Sequence, residues 1–279
     1  MSRPISRSPL VLAPFAFAIE LWQHRALLWD FTLRNIELRH KGSHLGVVWA
    51  LLNPLLMLGL YVLVFGYIFK GKFHALQHET QVDYALGIFV GLTIFHLFAE
   101  MLGTAPAVIV SNPNFVKKVV FPLAILPAAS VGASVYHMLI SMTLALLGVA
   151  TVGPGLHGNI IWLPAILLPL VLLVLGMAWF FAALGVFFRD INQVIGFLSM
   201  ALMFASAVFY SASTIPAPAW SFLRFNPVLL AIELARDSVM WNQPISLIRL
   251  SYLAGFGFLA CIGGYACFRK MAPAFADVL

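Results

Sequence analysis

Six long apolar segments constrain this chain more than any other feature of its sequence. They lie at about 45–69, 83–107, 123–150, 162–188, 193–213 and 245–268. Most exceed the ~20 residues that an α-helix needs to cross a bilayer. Only 9% of the 279 residues are charged and 62% are hydrophobic, whereas a soluble domain carries about 25% charged residues. We therefore predict an all-α integral membrane protein with six transmembrane helices.

Residues 15–41, ahead of these segments, show a different pattern. Polar residues occupy one face of this stretch. Apolar residues recur on the other face at alternating spacings of four and three: Phe15, Ile19, Trp22, Ala26, Trp29, Leu33 and Ile36. This predicts an amphipathic helix, or two joined helices, lying in the membrane interface. Leu10–Ala18 imitates a secretory signal, but the periodicity continues through the supposed cleavage site, so we reject that interpretation.

The stretch Ser111–Pro122, SNPNFVKKVVFP, separates the second and third apolar segments. Asn112-Pro113 is expected to end the preceding helix, because proline lacks an N–H and disfavours helical geometry at the residue before it. Asn114 is predicted to cap a short helix over Phe115–Val120, and Pro122 to open the next long one. Both a docking helix for a partner and a basic turn that only sets topology fit this pattern.

The segment before the last span is too apolar for an ordinary loop. It contains two short pieces, Pro216–Phe225 and Val228–Trp241, separated by Asn226-Pro227. Neither piece is long enough to span. We predict a re-entrant helical hairpin over 214–243, with a surface helix pair as the alternative.

The basic residues lie mostly at the ends of the apolar segments, where they report orientation. Of the 16 lysines and arginines, the side opposite the N-terminus receives Lys70, Lys72, Arg224, Arg236 and Arg249. The positive-inside rule therefore predicts that both termini are cytoplasmic, together with the Lys117-Lys118 segment and the Arg189-Asp190 turn.

The sequence shows no motif of an enzyme. HExxH, Gly-x-Ser-x-Gly, paired aspartates and the phosphate loop GxxxxGK[ST] are all missing, so we predict no catalytic residue and no ATP site of the usual kind. Cys261 and Cys267 lie six residues apart on one helix and point in different directions, which disfavours a disulfide or a metal site.

Three polar residues fall inside the apolar segments. His96 and Glu100 lie one turn apart in the second, and His137 lies in the third. Intramembrane ionisable groups are candidates for function. A proton relay and a buried polar contact between helices or subunits both fit.

Small residues and aromatic residues recur along the spans. Gly87 and Gly91 form a GxxxG pair, and Gly132 belongs to a pair of small residues that also allows helices to approach closely. Aromatic rings stack on the C–H faces of sugars, so a conduit for a glycan is one interpretation of the ring positions, with lipid-facing packing as the alternative. The predicted conduit residues are Tyr61, Phe65, Phe197, Phe204, Tyr210 and Trp220.

Four stretches carry a family resemblance: 33–69 (beginning LRNIELRHKGSHLGVVWALLNP), 112–127 (NPNFVKKVVFPLAILP), 187–195 (FFRDINQVI) and 209–239 (beginning FYSASTIPAPAW). Their order and content resemble the permease subunits of type-2 ABC exporters for bacterial polysaccharides, which include O-antigen, capsule and teichoic-acid exporters. The resemblance implies a homodimer in the bacterial inner membrane, joined by two copies of a separate ATPase that holds ATP and magnesium. It also implies a substrate of the class of lipid-linked polysaccharides, O-antigen-like in this case.

The same resemblance assigns roles to particular residues. The ATPase is expected to act on a coupling helix and on the turn after the fourth span, through Asn114, Phe115, Lys117, Lys118, Arg189 and Asp190. A pyrophosphate linker, or anionic lipid headgroups, is expected at Arg34, Arg39 and Lys41. The alternative function is a secondary transporter or flippase that is driven by an ion gradient and uses Glu100 and His96 as its polar site.

Overall fold

The computed structural model describes residues 15–41, 45–69, 71–76, 78–117, 121–188 and 190–279. Within these ranges the chain is predominantly helical and contains no β-strand. The all-α prediction is therefore confirmed for the part of the chain that the structure describes. Two predicted coupling residues, Lys118 and Arg189, lie outside the described residues.

The N-terminal amphipathic region consists of two joined helices, α1 (Ala16–Gln23) and α2 (Arg25–His40). Trp22 and Trp29 are 71% and 62% exposed, so the predicted apolar stripe faces away from the rest of the chain. The opposite face of α1 contacts the protein through Glu20. An apolar face left uncovered in this way is available to a bilayer surface.

Five helices are long and apolar enough to cross a membrane among the described residues. The first begins as α3 (Trp49–Tyr61) and continues as a π-helix over Val62–Ile68. The short helix α5 (Pro113–Lys117) lies between the second and third. The other four membrane-spanning helices are α4 (Gln81–Val110), α6 (Ile125–Thr151), α7 (Leu163–Phe187) and α11 (Leu247–Met271), and a 3-10 turn over Gly158–Trp162 precedes α7. The chain is an integral membrane protein.

The prediction that a fifth span covers 193–213 is wrong in its extent. Helix α8 runs from Ile191 to Ala205, only 15 residues, and the chain then turns through fully buried Ser206–Val208. Two further helices follow, α9 (Ala217–Leu223) and α10 (Pro227–Arg236), the latter extended by a π-helix over Asp237–Trp241. We call the end of the molecule that carries α9 and α10 the hairpin end; α5 lies at the opposite end.

Side chains satisfy the backbone where α8 ends, which explains why the helix stops there. Five carbonyls accept side-chain hydrogen bonds: Phe204 from Tyr210, Ala205 from Asn226, Ala207 and Val208 from Arg236, and Phe209 from Tyr84. Irregular backbone is tolerated at membrane depth only where protein or a wet cavity shields it. The sequence pattern of apolar residues carries no sign of these donors.

Arg236 is the central donor of this cluster and is only 1% exposed. Its Nε donates to the Gly87 carbonyl at 2.8 Å, and its Nη1 donates to the Ala207 carbonyl at 2.8 Å. The guanidinium also lies over the Phe73 ring, 4.3 Å from the centroid. Arg236 therefore joins α4, α10 and the turn after α8, and it is a buried structural cation rather than a charge that reports orientation.

The GxxxG pair of α4 makes room for this arginine. A Cβ at Gly91 would stand 2.5 Å from Arg236 Nη2, and a Cβ at Gly87 would stand 2.8 Å from the ring of Phe73. Side chains, rather than the backbone of a neighbouring helix, therefore fill the space that these two glycines leave.

The short helix between the second and third spans begins at Pro113, two residues earlier than predicted. Helix α5 starts at Pro113, so Asn114 lies inside the helix and the prediction that it caps the helix is wrong. Proline is favoured at the first helical position because its missing N–H has no partner there in any case. The side chain of Asn112 instead donates to the Val108 carbonyl at 2.9 Å, at the end of α4.

Helices α7 and α11 pack with their backbones in contact. A Cβ at Gly264 would stand 1.9 Å from the Gly176 carbonyl oxygen, and a Cβ at Gly257 would stand 2.3 Å from the Pro169 carbonyl oxygen. Small residues allow such close approach in a membrane, where van der Waals packing and hydrogen bonds drive helix association.

Gly264→Ala is expected to lower the melting temperature of the purified protein by several degrees. The new methyl group collides with backbone, which cannot move aside as a flexible side chain does, so about 1–3 kcal/mol of stability is lost. Gly263→Ala is the matched control, because nothing lies within 4 Å of its Cβ and alanine is the better helix former. Equal melting temperatures for the two variants, measured in detergent, would contradict the packing described.

Candidate functional site

A cavity of about 810 Å³ lies between α2, α3, α4 and α6. One face of α3 lines it from Trp49 to Tyr61, a distance of about 18 Å at 1.5 Å per residue. The cavity therefore extends along most of the first span, with α4 as its inner wall. It brings together residues that the sequence analysis assigned to three different roles: Arg39, His96, Glu100 and Tyr61.

The polar end of the cavity is an ionic cluster around Glu100. Arg39 Nη2 lies 2.9 Å from Glu100 Oε1, and Ser134 donates its hydroxyl to the same oxygen at 2.6 Å. His137 Nδ1 lies 3.7 Å from that oxygen and also contacts the Arg39 guanidinium. Since a guanidinium has only donors, His137 Nδ1 is the acceptor in that contact. One carboxylate thus joins α2, α4 and α6.

This arrangement bears on one of the two interpretations of Glu100, that of a buried polar contact. The carboxylate forms a polar contact between helices of one chain, as the second interpretation expected. His96 also lines the cavity, one turn before Glu100, and is exposed to it. The role of these groups in proton transfer stays a prediction.

The approach of α2 to α6 depends on a small residue. Thr32 is 7% exposed, and a Cβ at Gly132 would stand 2.8 Å from its hydroxyl oxygen. This contact holds α2 against α6 near the point where Arg39 reaches Glu100. Gly132 was predicted to allow close packing, and the structure shows that its partner is the N-terminal helix.

A double-mutant cycle measures the ion pair. We expect Arg39→Ala and Glu100→Gln to couple by about 1 kcal/mol in the free energy of unfolding, because the Arg39 side chain is 40% exposed and partly screened. Glu37→Gln, at an exposed position on the same helix, is the matched control and should show no coupling with Arg39→Ala. Additive effects of Arg39→Ala and Glu100→Gln would contradict the pairing.

The other end of the cavity meets a row of aromatic rings. Tyr61 lies 5.9 Å from Phe65, and Phe65 stacks on Phe209 with centroids 5.1 Å apart and an angle of 18°. Phe204 lies 6.1 Å from Phe209. The row thus connects the first span to the end of α8, and it contains three of the predicted conduit residues.

The remaining predicted conduit residues lie apart from this row. Tyr210 and Trp220 pack around Leu229 and Leu230 in a separate apolar cluster at the hairpin end. Phe197 is 72% exposed on α8. The structure therefore divides the predicted set into a row beside the cavity, a cluster under the hairpin and one exposed ring.

Helix α5 is tied to α2 by a cluster of three rings. Phe115 lies 5.5 Å from Phe31 and 4.6 Å from Phe121, and Phe31 lies 5.4 Å from Phe121. Phe115 is therefore packed within its own chain, whereas Asn114 and Lys117 are exposed. Asp190, at the turn after α7, is exposed as well.

The three predicted linker cations differ in their surroundings. Arg39 is engaged with Glu100, whereas Arg34 lies over the Phe31 ring at 5.7 Å and Lys41 is exposed at the end of α2. All three lie in the second half of α2 or directly after it, and of the three Arg39 lines the cavity.

Two residues with a positioning role were missed by sequence reasoning. Phe31 was not singled out within the amphipathic pattern, and Arg236 was counted as a surface charge. An arginine inside the apolar segment 227–241, three residues after Glu233, was the available signal, because such a charge is almost always paired or hydrogen-bonded. For Phe31 the sequence carried no comparable signal, since its partners lie in distant segments.

Two elements leave large apolar faces uncovered. Only 6% of the most apolar stretch of the first span is buried, against 83% for α4. On α8, Val194 and Met200 are 64% and 57% exposed, and within this helix Ile195 is the buried residue. Both elements adjoin the aromatic row.

Comparison with known proteins gives one consistent result. The family described as "ABC-2 type transporter" matches residues 26–240. The chain is 28% identical over 257 residues to the O-antigen export system permease protein RfbA of Klebsiella pneumoniae, covering 91% of this chain and 95% of that protein. It is 29% identical over 196 residues to RfbA of Myxococcus xanthus, covering 70% and 72%. It is 27% identical over 246 residues to the polysialic acid transport protein KpsM of Escherichia coli, covering 87% and 92%.

Proposed function

Because the chain belongs to the ABC-2 type transporter family, we propose that it is the membrane subunit of an ATP-driven exporter of a lipid-linked polysaccharide. The glycan is O-antigen-like and moves outward across the bacterial inner membrane. The relatives that cover most of the chain are permeases for O-antigen and a transport protein for polysialic acid. Both substrates are polysaccharides, which supports the substrate class.

A pair of identical chains forms the conduit in this proposal. The observation that carries it is the uncovered first span, whose apolar residues have few neighbours within one chain. The hydrophobic effect does not drive helices together inside a bilayer, so helices there associate through packing surfaces such as this one. A second copy placed against the first span and α8 would enclose the aromatic row between the two chains.

The cavity supplies an entry for the lipid-linked end of the substrate. Its polar end carries Arg39, and its long wall along α3 is largely apolar. An anionic linker at the cations of α2, with the lipid chain along α3, fits this division. Arg34 and Lys41 extend the positive charge at the same helix end.

The orientation and the membrane crossings belong to the same proposal. Helix α8 completes the six crossings as the fifth in chain order, and the hairpin that contains α9 and α10 re-enters the outer leaflet. Five backbone carbonyls at the end of α8 accept hydrogen bonds from side chains. They support this proposal, because a backbone satisfied in this way can turn within an apolar layer. Both termini and α5 then face the cytoplasm.

ATP hydrolysis is assigned to a separate subunit that holds ATP and magnesium. Two copies of it dock at α5 and at the turn after α7, next to the exposed Lys117 and Asp190. The ring cluster of Phe31, Phe115 and Phe121 passes the movement of α5 to α2, and so to Arg39 at the cavity.

Deletion of the gene tests the proposal. Lipid-linked glycan is expected to accumulate on the cytoplasmic side of the membrane, and export is expected to return with the intact gene. Reconstituted vesicles then separate the two driving forces: transport should require ATP and the ATP-binding subunit, and should survive dissipation of ion gradients. Transport by this chain alone on an ion gradient would refute the exporter and favour the alternative that uses Glu100 and His96.

A further inference from the structure

We propose that the C-terminal segment Phe275–Leu279 forms the middle of the surface on which the ATP-binding subunit docks. The inference rests on the proposed function, since it takes that subunit as the occupant. It adds an element that neither the sequence pattern nor the family match assigns, because the match ends at residue 240.

The C-terminal segment is anchored to the bundle rather than trailing from the last span. After α11 the chain forms a 3-10 turn over Ala272–Ala274 and a short helix, α12 (Phe275–Val278). Phe275 is fully buried, with its ring 5.4 Å from Phe268 and 6.0 Å from Phe187. This anchor fixes the position of the residues that follow it.

Helix α12 lies between the two segments predicted to contact the ATP-binding subunit. It packs against α5 and also against α7, whose last turn ends in the turn that carries Asp190. These two segments are far apart in the sequence, and α12 touches both. A partner that engages α5 and the turn after α7 together must therefore cover α12.

The exposed residues of this region have the composition of a protein interface. Val278 and Phe188 are 43% and 60% exposed and supply an apolar centre. Lys117, Asp190 and Asp277 are exposed on the same three segments, α5, the turn after α7 and α12. A polar rim around an apolar centre is typical of protein interfaces. Exposed side chains of both charge signs favour a protein partner, because an anionic lipid surface attracts only cations.

Val278→Glu tests the docking surface. The substitution places a charge in the proposed apolar centre at an exposed position, so the fold of the permease should persist. We expect the amount of ATP-binding subunit that co-purifies with the tagged permease to fall about tenfold, which corresponds to about 1.4 kcal/mol. Val152→Glu, 65% exposed at the hairpin end, is the matched control and should leave co-purification unchanged.

The outcomes separate this inference from the proposed function. If the Val278→Glu permease co-purifies as much ATP-binding subunit as the wild type does, the inference is overturned and the exporter proposal stays intact. If the wild-type permease captures no ATP-binding subunit, the proposed function fails and the inference fails with it. A photocrosslinking residue at position 278 should form an adduct with the ATP-binding subunit. An adduct only between two copies of this chain would also overturn the inference.

Discussion

Replacing Arg236 with methionine is expected to prevent most of the protein from reaching a folded state in the membrane. The carbonyls of Gly87, Ala207 and Val208 would each lose a buried donor. Removing one partner from a buried charged network costs about 3–5 kcal/mol, a large fraction of the roughly 5–15 kcal/mol by which domains are stable. The measurement is the yield of monodisperse protein after detergent extraction, together with its melting temperature.

Two further variants make this prediction specific to the guanidinium. Arg236→Lys should rescue little, because a single ammonium group cannot reproduce a planar fork that reaches several carbonyls. Gly91→Ala should produce a milder form of the same defect, since its Cβ would stand 2.5 Å from Arg236 Nη2. The control is Arg249→Met, at an exposed arginine of the same end, which should behave like the wild type. A normal yield and melting temperature for Arg236→Met would refute the role described.

The second large effect concerns α5, where removing an apolar side chain and reversing charged ones are expected to impair the protein in different ways. Phe115→Ala removes the ring that contacts both Phe31 and Phe121, so α5 should separate from α2. We expect a loss of about 2 kcal/mol, below the 3–5 typical of a fully buried ring, because Phe115 is only half-buried. Export should fall together with the melting temperature.

Charge reversal of Lys117 together with Lys118 should leave the melting temperature unchanged and reduce export per ATP hydrolysed about tenfold or more. Lys117 is exposed and a surface charge contributes little to stability, so any effect must arise in the contact with the ATP-binding subunit. The comparison needs both assays on both variants: melting in detergent, and coupled transport in vesicles. Export at the wild-type level after charge reversal would show that these lysines are not required for coupling.

The aromatic row illustrates how far sequence reasoning reached the candidate site. Tyr61 and Phe65 lie one helical turn apart, so their shared face followed from the helical period. Their contact with Phe209 did not follow, because it depends on where α8 ends. The same holds for Arg39, whose partner Glu100 lies on another helix.

The sequence alone was enough to predict the membrane class, the helical fold, five long spans to within a few residues, the two joined N-terminal helices and the break at Asn226-Pro227. These features follow from local causes: apolar length, helical periodicity, and the geometry of proline with a capping asparagine. Asn226 indeed accepts hydrogen bonds from the N–H of Val228, at 3.0 Å, and from that of Leu229.

How these helices meet follows from contacts between distant parts of the folded chain. The length of α8, the burial of Arg236, the ionic cluster around Glu100 and the anchoring of Phe275 each depend on groups that are distant in the sequence. Apolarity alone carries no such information, because every lipid-facing or buried position accepts the same apolar residues. The polar groups inside the membrane specify the arrangement, since each of them must find a partner there.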